Sequence, residues 1–212
     1  MSTPPGPRSV KIDKDERGGW SSDRPRREGG PSRPADLSVR SRVLRPSDRM
    51  RYSPGSLVLI AAGDRTLRDR FTARVIEEQS AILSLDKVRT LLQGRVAADE
   101  LEAKAQALLD AAATKRFVAG QSVVIPLEGL TPEERERYVR LAHAHRRARH
   151  LVLVEAGKDS VAEDDRAALT VLRNALDAGE LGLEGFMTSL RVGGRMVDEL
   201  KRIVFAPPPA DD

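Results

Sequence analysis

The sequence predicts an α/β fold in which a parallel sheet of about five strands lies between two layers of helices. Continuous apolar runs at residues 56–62 and 150–155 are typical of strands that are covered on both faces. Stretches with the apolar spacing of amphipathic helices alternate with these runs, and a glycine or a proline ends most of them. Because parallel strands need a crossover connection, this alternation indicates β–α units in a single three-layer domain.

The predicted elements follow one another regularly along the chain. Five strands are predicted, at residues 56–62, 80–85, 121–125, 150–155 and 201–205. Helices are predicted between them, from the first strand to about residue 79 and at residues 86–93, 99–119, 131–149 and 161–178. Gly94, Gly120 and Gly179 lie where helix C-terminal caps belong. Pro126 ends the third strand because proline cannot donate to a sheet.

Two of these helices carry clear local signals. In the helix at residues 99–119, the predicted buried stripe consists of Leu101, Ala105, Leu108, Leu109 and Ala112. The helix that starts at residue 131 begins with a capping box, in which Thr131 is the cap, Pro132 suits the first turn and Glu134 completes the box.

The composition excludes several kinds of site. The chain has no cysteine, so disulfides, thiolate nucleophiles and cysteine-ligated metals are excluded. Two of its three histidines, His143 and His145, diverge on a helix, and no metal site is expected. No apolar run approaches the roughly 18 residues of a membrane span, and residues 1–7 lack the apolar core of a signal peptide. We therefore expect a cytoplasmic protein without a membrane partner.

The charge is unevenly distributed along the 212 residues. Residues 1–53 carry a net charge of +6 and residues 54–212 a net charge of −2, which together make the +4 of the chain. Residues 1–53 are rich in proline, glycine and arginine and are predicted to be a disordered tail, whereas residues 54–212 form the folded domain. The tail is either a solvated linker or a basic arm that contacts nucleic-acid phosphates.

Ligands of parallel α/β sheets bind beyond the carboxyl ends of the strands, so the candidate site is built from the turns that follow Ile60, Leu83, Ile125 and Val154. The first of these turns, at residues 61–68, lies where a nucleotide-binding phosphate loop belongs. That loop needs two glycines, a lysine and a serine or threonine at fixed spacing. The pattern is absent here, and no lysine occurs between Lys14 and Lys87.

Three segments follow the predicted strands in a recognisable order. Residues 84–89 are Ser-Leu-Asp-Lys-Val-Arg, residues 119–125 are Ala-Gly-Gln-Ser-Val-Val-Ile, and residues 130–135 are Leu-Thr-Pro-Glu-Glu-Arg. Together with the strand at residues 150–155, they resemble the corresponding segments of the polynucleotide-kinase-like P-loop kinases. The resemblance covers roughly residues 56–156 and implies a P-loop NTPase-like sheet.

The resemblance implies roles for two residues. Asp86 would be the general base that takes the proton from the acceptor hydroxyl, and Arg89 would hold the phosphate of the acceptor. Their spacing puts both side chains on one face at the start of a helix. The alternative is that Asp86 caps the helix and that Arg89 is a solvated side chain.

The donor half of the family's site is degenerate in this chain. Alignment on the first strand places Ala61 and Thr66 at the two glycine positions of the Walker A motif, Leu67 at the lysine and Arg68 at the magnesium-binding hydroxyl. The cofactor-binding candidates that remain are Gly63, Arg65, Thr66 and Arg68.

The third strand has also lost an acid, because Pro126 stands where the family has an aspartate that organises magnesium, with Glu128 as a candidate substitute. Together these losses favour a catalytically impaired, kinase-like pseudoenzyme. It would bind a nucleotide or a nucleic-acid end weakly, or act as a scaffold for a protein partner, and no cofactor is expected. The alternative is an active ATP- and magnesium-dependent kinase that phosphorylates a hydroxyl of a polynucleotide or small molecule, with the arginines of residues 65–70 on the phosphates. A third hypothesis is a purely structural interaction protein.

Two further groups leave alternatives open. Gly193 and Gly194 form either a phosphate-binding nest or an ordinary turn. Arg146, Arg147 and Arg149 either contact nucleic acid or offset the dipole of the helix that ends near them.

Overall fold

The computed structural model describes residues 40–41, 49–155 and 161–207. The strands of this part of the chain are β1 Arg40–Ser41, β2 Met50–Tyr52, β3 Leu57–Ala62, β4 Val123–Pro126, β5 Arg149–Glu155, β6 Thr188–Gly193 and β7 Ile203–Phe205. The α-helices are α1 Arg65–Val75, α2 Leu85–Leu92, α3 Leu101–Val118, α4 Pro132–Ala144, α5 Glu163–Asp177 and α6 Met196–Glu199.

The main sheet has five parallel strands in the order β1-β6-β5-β3-β4. β3 lies between β5 and β4 and is buried along its whole length, as the continuous apolar run predicts. Leu57, Leu59 and Ala61 point to one face and pack against α2 to α5, whereas Val58, Ile60 and Ala62 point to the other face and pack against α1 and α6. The predicted three-layer α/β fold is therefore confirmed.

The prediction for the strands is wrong at two places. Residues 80–85 form a 3₁₀ turn, Gln79–Ala81, and a single bridge from Ile82 to Val124, because α2 begins at once with Ser84 as its N-cap. The strand predicted at residues 201–205 exists as β7, but it pairs with β2 in a separate two-stranded sheet. Its expected place in the main sheet is taken by β6, which the sequence analysis did not predict.

The folded region begins earlier than predicted. Met50 and Tyr52 are buried against the face of the sheet that carries α1, so the prediction of one disordered tail does not hold for Met50–Tyr52. Arg40–Ser41 pairs with Thr188 and Ser189 at the edge of the main sheet. Residues 1–39 and 42–48 lie outside the described part of the chain, and the predicted disorder stays a prediction for them.

The predicted helices are present, but their bounds, buried residues or caps differ in places from the prediction. The buried stripe of α3 is Ala105, Leu109, Ala113 and Phe117, and Leu108 is 46% exposed. α4 ends at Ala144, and Thr131 makes no side-chain cap bond. Glu134, which was predicted to complete the capping box with Thr131, instead accepts hydrogen bonds from the backbone N–H groups of Glu128 and Gly129. Within the described residues, none of the helices has both the length and the apolar character that crossing a membrane requires.

Candidate functional site

The turns that follow β3 and β4 meet the start of α2 at the carboxyl edge of the main sheet, as predicted. This edge, which we call the carboxyl edge, contains Asp64, Arg68, Asp86, Arg89 and Glu128. Asp64 lies in the turn after β3, Glu128 lies in the turn after β4, and the other three lie on α1 and α2.

The turn after β3 is very short. β3 ends at Ala62 and α1 begins at Arg65, so only Gly63 and Asp64 separate them. Asp64 is the N-cap of α1, and its Oδ1 accepts a hydrogen bond of 3.0 Å from the backbone N–H of Leu67. A helix N-terminus binds phosphate through such free N–H groups. Here a carboxylate of the same chain already occupies one of them.

An apolar side chain fills the space beside this turn. A Cβ atom added to Gly63 would lie 2.8 Å from Cγ1 of Val161, which precedes α5. Val161 is 6% exposed and belongs to the core on that face of the sheet. The glycine is therefore needed for close packing against Val161, and this contact accounts for it without a phosphate.

The arginines of residues 65–70 do not converge. Arg65 and Arg70 are exposed on α1, and Thr66 is exposed in its first turn. Arg68 points inward and is 2% exposed. Of the predicted cofactor-binding residues, the structure thus places Gly63 and Arg68 inside the fold and Arg65 and Thr66 on its surface.

Arg68 connects three elements through its guanidinium group. It donates to the backbone carbonyl of Leu127 after β4 and, through Nε, to Oδ1 of Asp69 at 2.8 Å. Its Nη2 lies 4.0 Å from Oδ2 of Asp86 on α2. The resemblance places Arg68 at the magnesium-binding position, and there the chain has a permanent positive charge that its own oxygens surround.

Arg89 is fully occupied by carboxylates. Its Nε and Nη2 donate to Glu102 at 2.8 and 2.7 Å, and its Nη1 donates to Asp86 at 2.9 Å. Nη1 and Nη2 both donate to Glu128 as well. A guanidinium group has five N–H donors, so each of them has an acceptor. Arg89 is therefore paired within the fold in this arrangement, with 26% of its side chain exposed.

The pKa values of two acids in this region are shifted in opposite directions, one by hydrogen bonds from Arg89 and the other by burial. The hydrogen bonds from Arg89 hold the pKa of Glu102 below its ordinary value because they stabilise the ionised form. Glu134, which supports the turn of Glu128, behaves in the opposite way. Its burial raises its pKa, although two backbone N–H groups donate to it.

Asp86 lies in the first turn of α2 and pairs with Arg89. Its Oδ1 accepts from Arg89, and its side chain is 55% exposed. The cap of α2 is Ser84, whose hydroxyl faces the N–H of Lys87, so the alternative in which Asp86 caps the helix is wrong. Asp86 also lines a cleft of about 280 Å³ between α1, α2 and the end of β4. Others of its lining residues are Asp69, Thr72, Ser84, Lys87 and Pro126.

The end of β5 shows the same internal pairing of charge. Glu155, the last residue of β5, accepts hydrogen bonds from Nε of Arg173 at 2.5 Å and from Nε of Arg191 at 2.7 Å. Burial by itself would raise the pKa of Glu155, but these hydrogen bonds lower it below its ordinary value. Gly193 is the last residue of β6 and packs against the Glu155 side chain, and Gly194 begins the turn that follows. Among the described residues, no group of three or more acids and histidines is arranged to hold a metal ion.

Sequence reasoning missed the contribution of α3 to this edge. Glu102 reaches Arg89 from the first turn of α3, and nothing in the local sequence around either residue signals the contact. The burial of Arg68 was missed as well, although its spacing from Phe71, Thr72 and Val75 on α1 places all four on one face.

Comparison with known proteins adds one structural likeness. The chain matches no protein-family model, and a search of curated proteins gave no match. Among solved structures, the chain resembles a protein described as a "putative kinase" from Chloroflexus aurantiacus J-10-fl, with 18% sequence identity and a TM-score of 0.40. The likeness covers 66% of this chain and 86% of that chain. At this TM-score it establishes no relationship, and the fold class rests on the sheet described above.

Proposed function

We propose that this chain is a catalytically impaired, kinase-like domain that acts by binding or scaffolding and not by phosphoryl transfer. The observation that carries the proposal is the turn of two residues between β3 and α1, closed by the Asp64 carboxylate. A phosphate cradle needs a longer, glycine-rich loop whose N–H groups converge on the ligand. The resemblance of residues 84–89 and 130–135 to polynucleotide-kinase-like enzymes supports an origin from such a kinase.

Several costs oppose a triphosphate at this turn. Displacing the Asp64 cap from the Leu67 N–H costs about 1 kcal/mol. The carboxylate would then repel the phosphates. The lysine that reaches the terminal phosphates is replaced by Leu67, and each charge-assisted hydrogen bond so lost is worth roughly 1.5–3 kcal/mol. These contributions have the same sign, so we expect ATP affinity to be very weak.

The acceptor side supports the same proposal. An acceptor phosphate could reach Arg89 only by displacing Glu102 or Glu128 from it. Asp86 is engaged with Arg89 and would have to release it before acting as a general base toward a hydroxyl. The cleft beside Asp86 therefore fits weak binding better than turnover.

Calorimetric titration with ATP and magnesium tests the proposal. We expect no measurable heat of binding, and no change in the melting temperature of the protein at millimolar ATP. A dissociation constant below about 10 μM, equivalent to roughly 7 kcal/mol, would contradict the proposal. The melting experiment on the same sample shows that the protein is folded, because an unfolded sample would show no cooperative transition.

The alternative of an active kinase is favoured by one observation, the cleft of about 280 Å³ that Asp86 lines. Its test is the transfer of radiolabelled phosphate from ATP to 5′-hydroxyl RNA, 5′-hydroxyl DNA and small alcohols. Transfer that Asp86→Asn abolishes, and that the exposed control Asp99→Asn leaves intact, would establish this alternative. Absence of transfer to all three classes agrees with the scaffold.

A further inference from the structure

A second cleft lies at the edge of the main sheet opposite the carboxyl edge. It has a volume of about 630 Å³ and lies between the C-terminal end of α4 and the start of β5. Four of its lining residues are basic, His143, Arg146, Arg147 and Arg149, and none of the described residues that line it is acidic. We refer to it as the basic cleft.

The arginines of the basic cleft form no ion pair with the acids that the structure describes. In the part of the chain that the structure describes, none of its three arginines lies within 4.0 Å of a carboxylate oxygen. Burial lowers the pKa of Arg149. Burial and, after it, the charge of Arg149 lower the pKa of the adjacent His150 to about 4. Both shifts have the direction that burial away from water gives to a cationic group.

Two of the arginines are held in place by backbone carbonyls. Arg147 donates through Nη2 to the carbonyl of Phe117, at the end of α3. Arg149 donates through Nε to Gly185 at 2.6 Å and through Nη1 to Arg147 at 3.0 Å. These neutral acceptors fix the guanidinium groups without cancelling their charge. Nε of Arg147 is buried and has no hydrogen-bond partner among the described residues, which is uncommon for a buried donor.

Arg146 adopts a backbone conformation that favours glycine. Its φ is +55°, in the left-handed region, one residue beyond the C-cap of α4. The chain uses glycine at the corresponding positions of α3 and α5, where Gly120 and Gly179 have φ values of +73° and +72°. An arginine is strained there. The chain therefore accepts a local cost to have a third arginine among the residues that line the basic cleft.

We propose that the basic cleft is a binding site for a phosphate group, supplied either by free phosphate compounds or by the backbone of a nucleic-acid strand. Guanidinium groups bind phosphate oxygens in pairs of parallel hydrogen bonds, and pre-positioned ones lose little entropy in doing so. The volume lies in the range of small-ligand sites, so it can hold a phosphate with an attached sugar. This proposal does not depend on the function proposed for the carboxyl edge.

The test compares two single substitutions in the full chain. Arg146→Gly removes one charge of the basic cleft and relieves the strained backbone. Arg140→Gln removes one charge from the exposed face of α4, where Arg140 pairs with Glu136 outside the basic cleft. The probes are pyrophosphate, measured by calorimetry, and a fluorescent single-stranded oligonucleotide of about ten nucleotides, measured by anisotropy.

We expect Arg146→Gly to weaken binding of the probe about tenfold, as loss of one charge-assisted contact predicts, while raising the melting temperature. Arg140→Gln should leave affinity within a factor of two. Competition between pyrophosphate and the oligonucleotide identifies the nucleic-acid backbone as a source of the phosphate, and binding of pyrophosphate alone identifies free phosphate compounds. The proposal is overturned if neither probe binds, or if Arg146→Gly and Arg140→Gln weaken binding equally, because net charge alone would then explain it.

Discussion

At the carboxyl edge of the main sheet the arginines are met by carboxylates of the same chain, whereas at the opposite edge they are met by backbone carbonyls. Arg89 has three acids around it, and Arg68 has a carboxylate and a carbonyl. Arg147 and Arg149 have carbonyl partners only, among the described residues. The arginines at the carboxyl edge are thus neutralised within the fold, whereas the charges of Arg147 and Arg149 are met by neutral groups only among the described residues.

The comparison also separates two uses of arginine. A guanidinium group that is saturated by acids stabilises the fold, because removing it leaves those acids uncompensated. One that is fixed by neutral carbonyls keeps its charge for a ligand. Substitutions at the first kind should change stability and leave ligand binding alone, and those at the second kind should do the reverse.

The largest effect is expected at Arg68. Replacing it in Arg68→Met keeps the aliphatic stem but leaves the Leu127 carbonyl without this donor and the Asp69 carboxylate without its partner. We expect a loss of about 3 kcal/mol in the free energy of unfolding, measured by urea denaturation. Arg70→Met, the same change two residues later on the exposed side of α1, should cost less than about 0.5 kcal/mol. Equal losses at the two positions would contradict the assignment of Arg68 as a structural cation.

A smaller and pH-dependent effect is expected at Arg89. Arg89 lowers the pKa of Glu102 in the folded protein. The stability that this pair contributes is therefore present above pH 4.5, the ordinary pKa of a glutamate, and is lost as the pH falls below it. Arg89→Gln should cost about 1–2 kcal/mol at pH 7, since the group is only partly buried and its pairs are screened. The stabilities of the two proteins should converge as the pH falls below 4.5.

The control for this experiment is Arg166→Gln, which breaks a single exposed pair with Glu163. It should cost less than about 0.5 kcal/mol at any pH. If Arg89→Gln destabilised the protein by the same amount at pH 3 and at pH 7, the carboxylates around Arg89 would not be the cause.

The smallest effect is expected at the cap of α1. Asp64→Ala should cost about 1 kcal/mol because the Leu67 N–H loses its acceptor, whereas Asp64→Ser keeps an acceptor and should cost only a few tenths of that. Neither variant should gain ATP binding, because Val161 still packs against Gly63. Micromolar ATP binding by Asp64→Ser, measured by calorimetry, would show that the carboxylate alone had closed the site.

The central fold could be predicted because its signals are local. β3 and β5 are continuous apolar runs, and α2, α3 and α5 end near glycines that the sequence shows directly. β6 was missed because its residues, Thr-Ser-Leu-Arg-Val-Gly, mix polar and apolar types at a position next to the edge of the sheet. The pairing of β2 with β7 was missed because it joins distant parts of the chain.

The candidate site remains a prediction, and the structure adds the contacts of its residues. The sequence lacks the phosphate-loop residues at residues 61–68, and the structure has a short turn there that Asp64 caps. The occupation of Arg89 could not be foreseen, since it depends on how α3 packs beside α2 and presents Glu102. The roles of Asp86 and Arg89 in binding an acceptor remain predictions.

The pairing of β2 with β7 has a consequence for how the protein is made. Met50 and Tyr52 are synthesised long before their strand partner Ile203–Phe205. Until Ile203–Phe205 is available, these two apolar side chains lack part of the surface that covers them in the finished fold. A nascent chain that stalls before Ile203 would therefore expose them and would be a natural client of chaperones.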